Sequence, residues 1–523
     1  MRRPKLALYP FFLAAYSVLG LAASNPGEIP GLWVLARPLG VSLLVTFCAW
    51  LLVSLLVRDP PRRAFVTLIL VILFTTYGYF TIALGRVAWV GRYVHTPLPL
   101  LLMATYLGAV TYLVFRLVSD LRALTRFLTT FTAVLVLWAG LNVLRDTTRR
   151  MELTAESNPP HPVSVAFAKS KSRPDIYLIV LDKYTGSRSL RENFGFDNGD
   201  FQSFLAEHGF VLPGRAQTNY IYTSLSLASL LNYRYLDELP AESLGVSRAK
   251  AYINQIVEDN AVWRFLRGRD YRFIFFPTEF PVTGRNRLAD LQLPDPRKIL
   301  SEFEIAWRRT TLAEPVLSWT CGQISCLGPS SEAKLLDWKF GQLSQVPRWP
   351  RDGRPLFIFA HLTVPHEPYI FNANCSLRPP FWPSYYVVAD ETPEKQAYVG
   401  QIQCLNRRLK SLVERLLGDS PTPPIIILQS DHGHGRMPLH IPDLDDVTPD
   451  RVAERADIFA AYYLPGTTAK IVYDSISPVN VFRSVFRQYF QAELSPLPDK
   501  TYWSPGSDPF RFTRVSHGRR WPE

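Results

Sequence analysis

Three apolar runs in this sequence end in side chains that can hold a metal ion or move a proton. DIYLIVLD (Asp175–Asp182) ends in Asp182, FIFAHLTVPH leads into His361 and His366, and IIILQSDHGHG delivers Asp431, His432 and His434. A charged residue at the end of a buried strand needs a partner, so these strand ends point to one shared site. Asp with His is a mixed oxygen and nitrogen donor set. It suits a borderline divalent ion, Zn²⁺ or Mn²⁺, ahead of Mg²⁺ or Ca²⁺. The glycines of DHGHG let adjacent Asp431 and His432 turn toward one ion. A further segment, NYIYTSLSLASLLN (Asn219–Asn232), brings hydroxyls to a place where a loop enters a helix, with Thr223 near the N-cap. A Thr or Ser there, deprotonated beside a metal, would attack phosphorus, and the helix N-terminus would help bind the anionic group. Thr223 is the first candidate, with Ser224 and Ser226 as alternatives.

Other residues of the same types read more plainly. His361 is as much a satisfied core histidine as a site residue, and His434 reads as a supporting or solvated group. His517 lies near the C-terminus, where solvation is the simpler expectation. The pairs Tyr385-Tyr386 and Tyr462-Tyr463 read as core or rim rather than a sugar platform.

Positioning such groups requires a sheet with its ends open to a site. From Asp175 onward, short Ile/Leu/Val/Phe runs alternate with amphipathic stretches. The expected strands are Asp175–Asp182, Arg272–Thr278, Pro355–Leu362, Pro424–Asp431 and Ile458–Pro465. The expected helices are Asp200–His208, Ser224–Leu231, Asn254–Leu266, Thr392–Leu417 and Pro478–Phe490. This pattern predicts an α/β domain with a mainly parallel sheet flanked by helices. Ligands bind beyond the carboxyl ends of such strands, which is where the Asp and His residues fall.

At 523 residues the chain is long enough for two cores. Five apolar stretches, about Leu6–Ser24, Leu39–Val57, Ala64–Leu84, Leu98–Val118 and Phe127–Leu144, come close to the ~20 residues that cross a hydrocarbon core. They predict a five-span anchor over 1–144. The first stretch has no clear small-residue cleavage site and reads as retained. Residues 145–174, polar and Pro-rich, read as a juxtamembrane linker, leaving 175–523 as the catalytic domain. Basic residues flank alternate loops: Arg2, Arg3 and Lys5; then Arg58, Arg62 and Arg63; then Arg116, Arg122 and Arg126. That bias places the N-terminus in the cytoplasm and, with an odd number of spans, the α/β domain outside it, in the periplasmic or extracellular space. Membrane topology and anionic lipid account for the net charge of +12, so no nucleic-acid partner is expected. A transporter is disfavoured because the spans carry few acidic residues and Asp120 lies in a connection.

Of five cysteines, Cys48 sits in an apolar run, and no CxxC pair suggests a zinc ribbon. Four thiols in an exported domain predict two disulfides, Cys321 with Cys326 across a short loop and Cys375 with Cys404.

In this order (Asp after the first strand, hydroxyl at a helix start, H…PHxP, then DHG) the residues resemble the alkaline phosphatase/sulfatase superfamily. With the N-terminal spans, the chain is most similar to lipoteichoic acid synthases and phosphoethanolamine transferases. The resemblance runs from about Arg173 to Phe490. It implies one divalent ion held by Asp182, Thr223, Asp431 and His432, with Thr223 as a nucleophile carrying a covalent phospho-intermediate. It further implies that His366 binds or protonates the transferred group, and that His440 serves substrate or a second metal. The substrate would be a phospho-ester, or less readily a sulfo-ester, of an envelope lipid or glycan, used in transfer or hydrolysis. No cysteine has the CxPxR context of formylglycine sulfatases. Lys183 stands where the family commonly has a small residue. There it would repel the metal or contact an anionic substrate, and it keeps open a catalytically inactive scaffold in envelope assembly.

Overall fold

The computed structural model describes residues 7–25, 29, 31–85, 96–156, 173–236, 246–294, 300–316, 329–381, 391–435, 447–466, 471–505, 508, 510–516 and 519–520. The chain divides into two compact units, 1–153 with 300–328, and 154–299 with 329–523. The expected catalytic span of 175–523 therefore gives up residues 300–328 to the helical unit.

The helical unit holds α1 (Tyr9–Ser24), α2 (Ala36–Leu56), α3 (Pro60–Gly85), α4 (Leu98–Leu117) and α5 (Leu121–Glu156). Among the described residues, four helical stretches are long and apolar enough to cross a membrane: Leu32–Leu56, Pro60–Leu84, Leu98–Leu117 and Leu121–Thr148. The fifth expected span is shorter. At 16 residues α1 reaches only about 24 Å, short of the ~30 Å hydrocarbon thickness. Helix α5 also outruns its expected end at Leu144, so the linker begins as helix and its stretch 157–172 lies outside the described residues. Leu44, Leu52, Leu55, Leu56, Leu101 and Leu117 are exposed, as side chains facing lipid would be. Thr46, Thr75 and Thr111 each donate to the carbonyl four residues back within their own helix, and Ser42 donates across to the Ala14 carbonyl of α1 at 3.0 Å, so these hydroxyls are paired in an apolar medium. Val18 and Ala22 of α1, Val34 and Leu35 ahead of α2, and Val143 of α5 share one cluster. The late parts of α1 and α5 therefore lie at the same end of the bundle.

The second unit is built on a six-stranded sheet. Its strands are β1 (Ile176–Leu181), β2 (Arg272–Phe276), β3 (Leu291–Gln292), β4 (Leu356–Leu362), β5 (Ile425–Ser430) and β6 (Ala460–Tyr463), in spatial order β3-β2-β4-β1-β5-β6. All neighbours run parallel except β5 with β6. The continuous apolar run of β1 has a physical reason: Ile176, Leu178 and Val180 enter one buried cluster, and Tyr177, Ile179 and Leu181 enter another. Both faces are covered, so both must be apolar. The helix expected over Asn254–Leu266 is two helices, Val246–Glu258 and Ala261–Arg267. Asn260 breaks it, its side chain accepting from the Trp263 amide as an N-cap.

Candidate metal centre

Register decides what meets what at the carboxyl end of the sheet. On central strand β1, Leu181 lies opposite Leu362 of β4 and Ser430 of β5. One residue further along, Asp182 and Asp431 emerge side by side, and His361 sits beside Val180. Asp182, Asp431 and His432 are fully buried and offer ligand atoms within 4.8 Å of one another.

The hydrogen-bond inventory shows what this cluster lacks. Both carboxylate oxygens of Asp182 and Oδ2 of Asp431 have no hydrogen-bond partner among the described residues. Asp431 Oδ1, by contrast, accepts from the main-chain amides of Lys183 (3.0 Å) and His432 (2.8 Å). Buried carboxylates left bare in this way are costly unless a cation compensates them. The Nδ1 of His432 lies 2.9 Å from the Gly433 carbonyl, which can only accept, so Nδ1 carries the proton. Nε2 carries the lone pair, which accepts from Arg455 Nη2 at 3.1 Å, and lies 3.4 Å from Asp431 Oδ2, 3.8 Å from Asp182 Oδ1 and 3.2 Å from Thr223 Oγ1. A carbonyl fixing the far nitrogen is the usual support for a ligating histidine. The residues present thus fit one divalent cation.

Electrostatics agree. Burial pushes the Asp431 carboxyl up to about 6, and the neighbouring Asp182 charge adds to it. Burial works the same way on Asp182, but the His366 imidazole, with His361, outweighs it and holds that carboxyl below the usual range. Burial, with the Arg455 guanidinium, holds His432 well below its ordinary value, so the ring is neutral and able to ligate. For His366 burial is opposed by the Glu367 and Asp182 carboxylates, and the net shift is upward.

Thr223 is the first residue of the Thr223–Asn232 helix. Its half-buried hydroxyl faces the cluster through His432. The competing hydroxyl of Ser226 is buried and donates to the Asp431 main-chain carbonyl at 2.7 Å, a carbonyl that also receives Thr218 Oγ1 at 2.6 Å. Ser226 therefore shapes the strand end and is not free to attack. Gly433 is required by crowding: a Cβ there would collide with the carbonyls of Glu454 and Asp457.

The Lys183 ammonium is bound by Glu367 Oε2 at 2.7 Å, with both side chains buried. Its charge is neutralised within the fold and is not presented to the bare carboxylates. The pair ties the end of β1 to the turn carrying His366, whose Nδ1 lies 2.8 Å from the Glu367 carbonyl. Buried His434 is satisfied by Glu454 (2.9 Å) and Tyr369 (3.2 Å). His361 is no ordinary core histidine. Its Nδ1 meets Thr283 Oγ1 at 2.9 Å, while Nε2, without a hydrogen-bond partner among the described residues, lies 3.5 Å from Asp182. Cys375 and Cys404 form a disulfide. Cys321, Cys326, His440 and His517 lie outside the described residues.

Sequence reasoning missed Glu367, Thr283 and Arg455. Glu367 adjoins His366 and could have been flagged by that adjacency. Arg455, which reaches His432 Nε2 at 3.1 Å, lies in the Pro449–Ala456 helix with no local signal.

No protein-family model matches this sequence, and no curated protein does. Among solved structures, the chain is similar to the C-terminal periplasmic domain of EptC from Escherichia coli in complex with Zn, at 12% identity and a TM-score of 0.46, covering 69% of this chain and 97% of that one. It is also similar to an alkaline phosphatase superfamily protein from Vibrio parahaemolyticus (11%, TM-score 0.39, 71% and 84%). A third is the periplasmic domain of phosphoethanolamine transferase EptC from Campylobacter jejuni (12%, TM-score 0.37, 65% and 94%). The solved structures similar to this chain thus include a protein of the alkaline phosphatase superfamily, phosphoethanolamine transferase domains and sulfatases.

Proposed function

We propose that this protein is a membrane-anchored, metal-dependent transferase or hydrolase of phospho-esters, with sulfo-esters a less favoured substrate, and that it works through a covalent intermediate on Thr223. One observation carries the reading: two bare buried carboxylates and a neutral imidazole converge beside a hydroxyl at a helix N-terminus. Asp182, Asp431, His432 and the Thr223 oxygen would hold one divalent ion, with Zn²⁺ or Mn²⁺ ahead of Mg²⁺ or Ca²⁺. When bound, that ion lowers the hydroxyl pKa and offsets charge on phosphoryl oxygens.

The remaining chemistry belongs to this chain. Thr223 Oγ1 gives its proton to solvent and bonds to phosphorus while the bond from phosphorus to the departing oxygen breaks. His366, with its proton affinity raised and Nδ1 held at the Glu367 carbonyl, supplies a proton to that oxygen. An acceptor hydroxyl, or water in the hydrolytic version, then gives its proton to the now neutral His366 and bonds to phosphorus, and the Thr223–phosphorus bond breaks as Thr223 Oγ1 regains a proton from solvent. Free amides of the first helical turn orient the anionic group. His440 is proposed as a further substrate or metal contact on the family resemblance alone.

The partners proposed are a membrane lipid donor and a lipid or glycan acceptor of the cell envelope, with no nucleic acid. Confining enzyme and lipid to one plane raises their effective concentration. The α/β unit is proposed to lie outside the cytoplasm at the inner or plasma membrane. The basic flanks of alternate loops and the Cys375–Cys404 disulfide support this, since disulfides persist in oxidising compartments. Purified protein loaded with Zn²⁺ or Mn²⁺ should release diacylglycerol from vesicles containing phosphatidylethanolamine or phosphatidylglycerol. A peptide spanning Asn219–Asn232 should gain the mass of the transferred group on Thr223. An adduct on another residue, or turnover undiminished in Thr223→Ala, would remove Thr223 from the mechanism.

A further inference from the structure

Residues 300–316 interrupt the α/β unit between β3 and the Pro329–Gln345 helix, yet they belong to the helical unit. Within that unit the Glu302–Thr310 helix is well made. Ser301 and Glu304 form a capping box, and Arg308 and Arg309 sit in the last turn. Phe303 and Trp307, one turn apart on one face, are buried among Val18 and Ala22 of α1, Val34 and Leu35, and Val143 of α5. Trp307 meets the Phe74 ring of α3 edge-on at 6.5 Å. Between them on the same helix, buried Glu304 pairs with Arg37 of α2 at 3.3 Å.

The seat is shaped on the bundle side as well. The Leu312 amide donates to the Phe74 carbonyl at 2.8 Å, and Leu312 packs beside Tyr77, Met103 and Leu107. A Cβ on Gly78 would collide with the Arg309 main-chain carbonyl, so a glycine in the middle of α3 admits the backbone of this segment. Every contact falls near the late part of α1, α3 and α5 or the early part of α2 and α4. That is the bundle end from which α5 leads on toward residue 157.

We propose that residues 300–316 are a second attachment of the α/β unit to its anchor, a plug seated in the helical bundle that holds the unit independently of the linker at 157–172. A seated plug fixes two further chain crossings, before 300 and after 316.

The test uses the full-length chain with a tag at each end and a site-specific protease sequence inserted within 157–172. After cleavage in membranes and extraction in mild detergent, capture on the N-terminal tag should bring down the C-terminal fragment without loss. Gly78→Leu, and Trp307→Asp, should lose it after cleavage while uncleaved chains retain it. Arg37→Glu and Glu304→Arg singly should reduce recovery several-fold, and the two together should restore it, which separates a lost seat from a misfolded bundle. Release of the unmutated fragment on cleavage overturns the proposal. Retention indifferent to all four substitutions does so too.

Discussion

Asp182 and Asp431 emerge side by side from adjacent parallel strands, one residue past the Leu181–Ser430 register pair, with three of their four carboxylate oxygens (both of Asp182, Oδ2 of Asp431) lacking a hydrogen-bond partner. Two like charges buried together oppose folding until a cation joins them. Chelator-treated protein should therefore unfold at lower temperature than protein resupplied with Zn²⁺ or Mn²⁺. At a free cation concentration a hundredfold above Kd, the gain should be about 2.7 kcal/mol. Asp431→Asn should abolish that cation-dependent rise and unfold no earlier than the chelated parent. Calorimetry with and without metal checks both, and a full cation-dependent rise in Asp431→Asn would refute the assignment.

Thr223 and Ser226 share a helix but have different work. Thr223→Ala should lower turnover by on the order of 10³-fold or more while most of the metal is retained on the three remaining ligands. Ser226→Ala removes one of two donors to the Asp431 carbonyl. It should cost about 1 kcal/mol of stability and leave turnover in place. Steady-state rates, with metal content by elemental analysis, separate the two outcomes.

Lys183 and Glu367 form a buried pair. Burial opposes ionisation of Glu367, but His366 and Lys183 hold its carboxyl well below the usual value. Lys183→Met strands that charge and should cost about 3–5 kcal/mol, read as a fall in the urea midpoint. Lys183→Met with Glu367→Leu should recover most of the loss, because an apolar pair of similar volume replaces the ions. If the double variant is as unstable as the single one, Lys183 acts through something other than this pair.

Lys339, buried in the Pro329–Gln345 helix, sits far in sequence from Asp182 and Asp431. Burial lowers its pKa from 10.5 to about 8, with Glu279 partly opposing the shift. Between those values the unfolded chain holds a proton that the folded chain has released, so stability rises with pH from about 8 to 10.5 and is lost as pH falls back through that window, the loss being complete below about 8. Lys339→Met should flatten that rise and stabilise the protein at neutral pH by on the order of 3 kcal/mol. Denaturant unfolding at pH 7 and pH 10 is the measurement. An unchanged difference between the two would show that Lys339 is solvated in the folded state.

Much of the fold was legible because it is written locally. The run Ile176–Leu181 is apolar at every position because both its faces are buried, and Asp182 marks where that burial ends. The same reasoning located Asp431, His432 and the helix start at Thr223. Span number was less legible. Hydropathy runs through Leu6–Ser24 without showing that α1 is only 16 residues long.

Sequence by itself determined the strand-end chemistry, the apolar N-terminal helices and the α/β alternation, since each depends on neighbours within a few residues. Only tertiary structure decided that the Lys183 charge is cancelled by Glu367, that Ser226 is spent on a main-chain carbonyl, that His361 faces Asp182, and that residues 300–316 pack with the helical unit. Those are relations between residues tens to hundreds of positions apart. Strand register and helix packing set them, and no local periodicity encodes either.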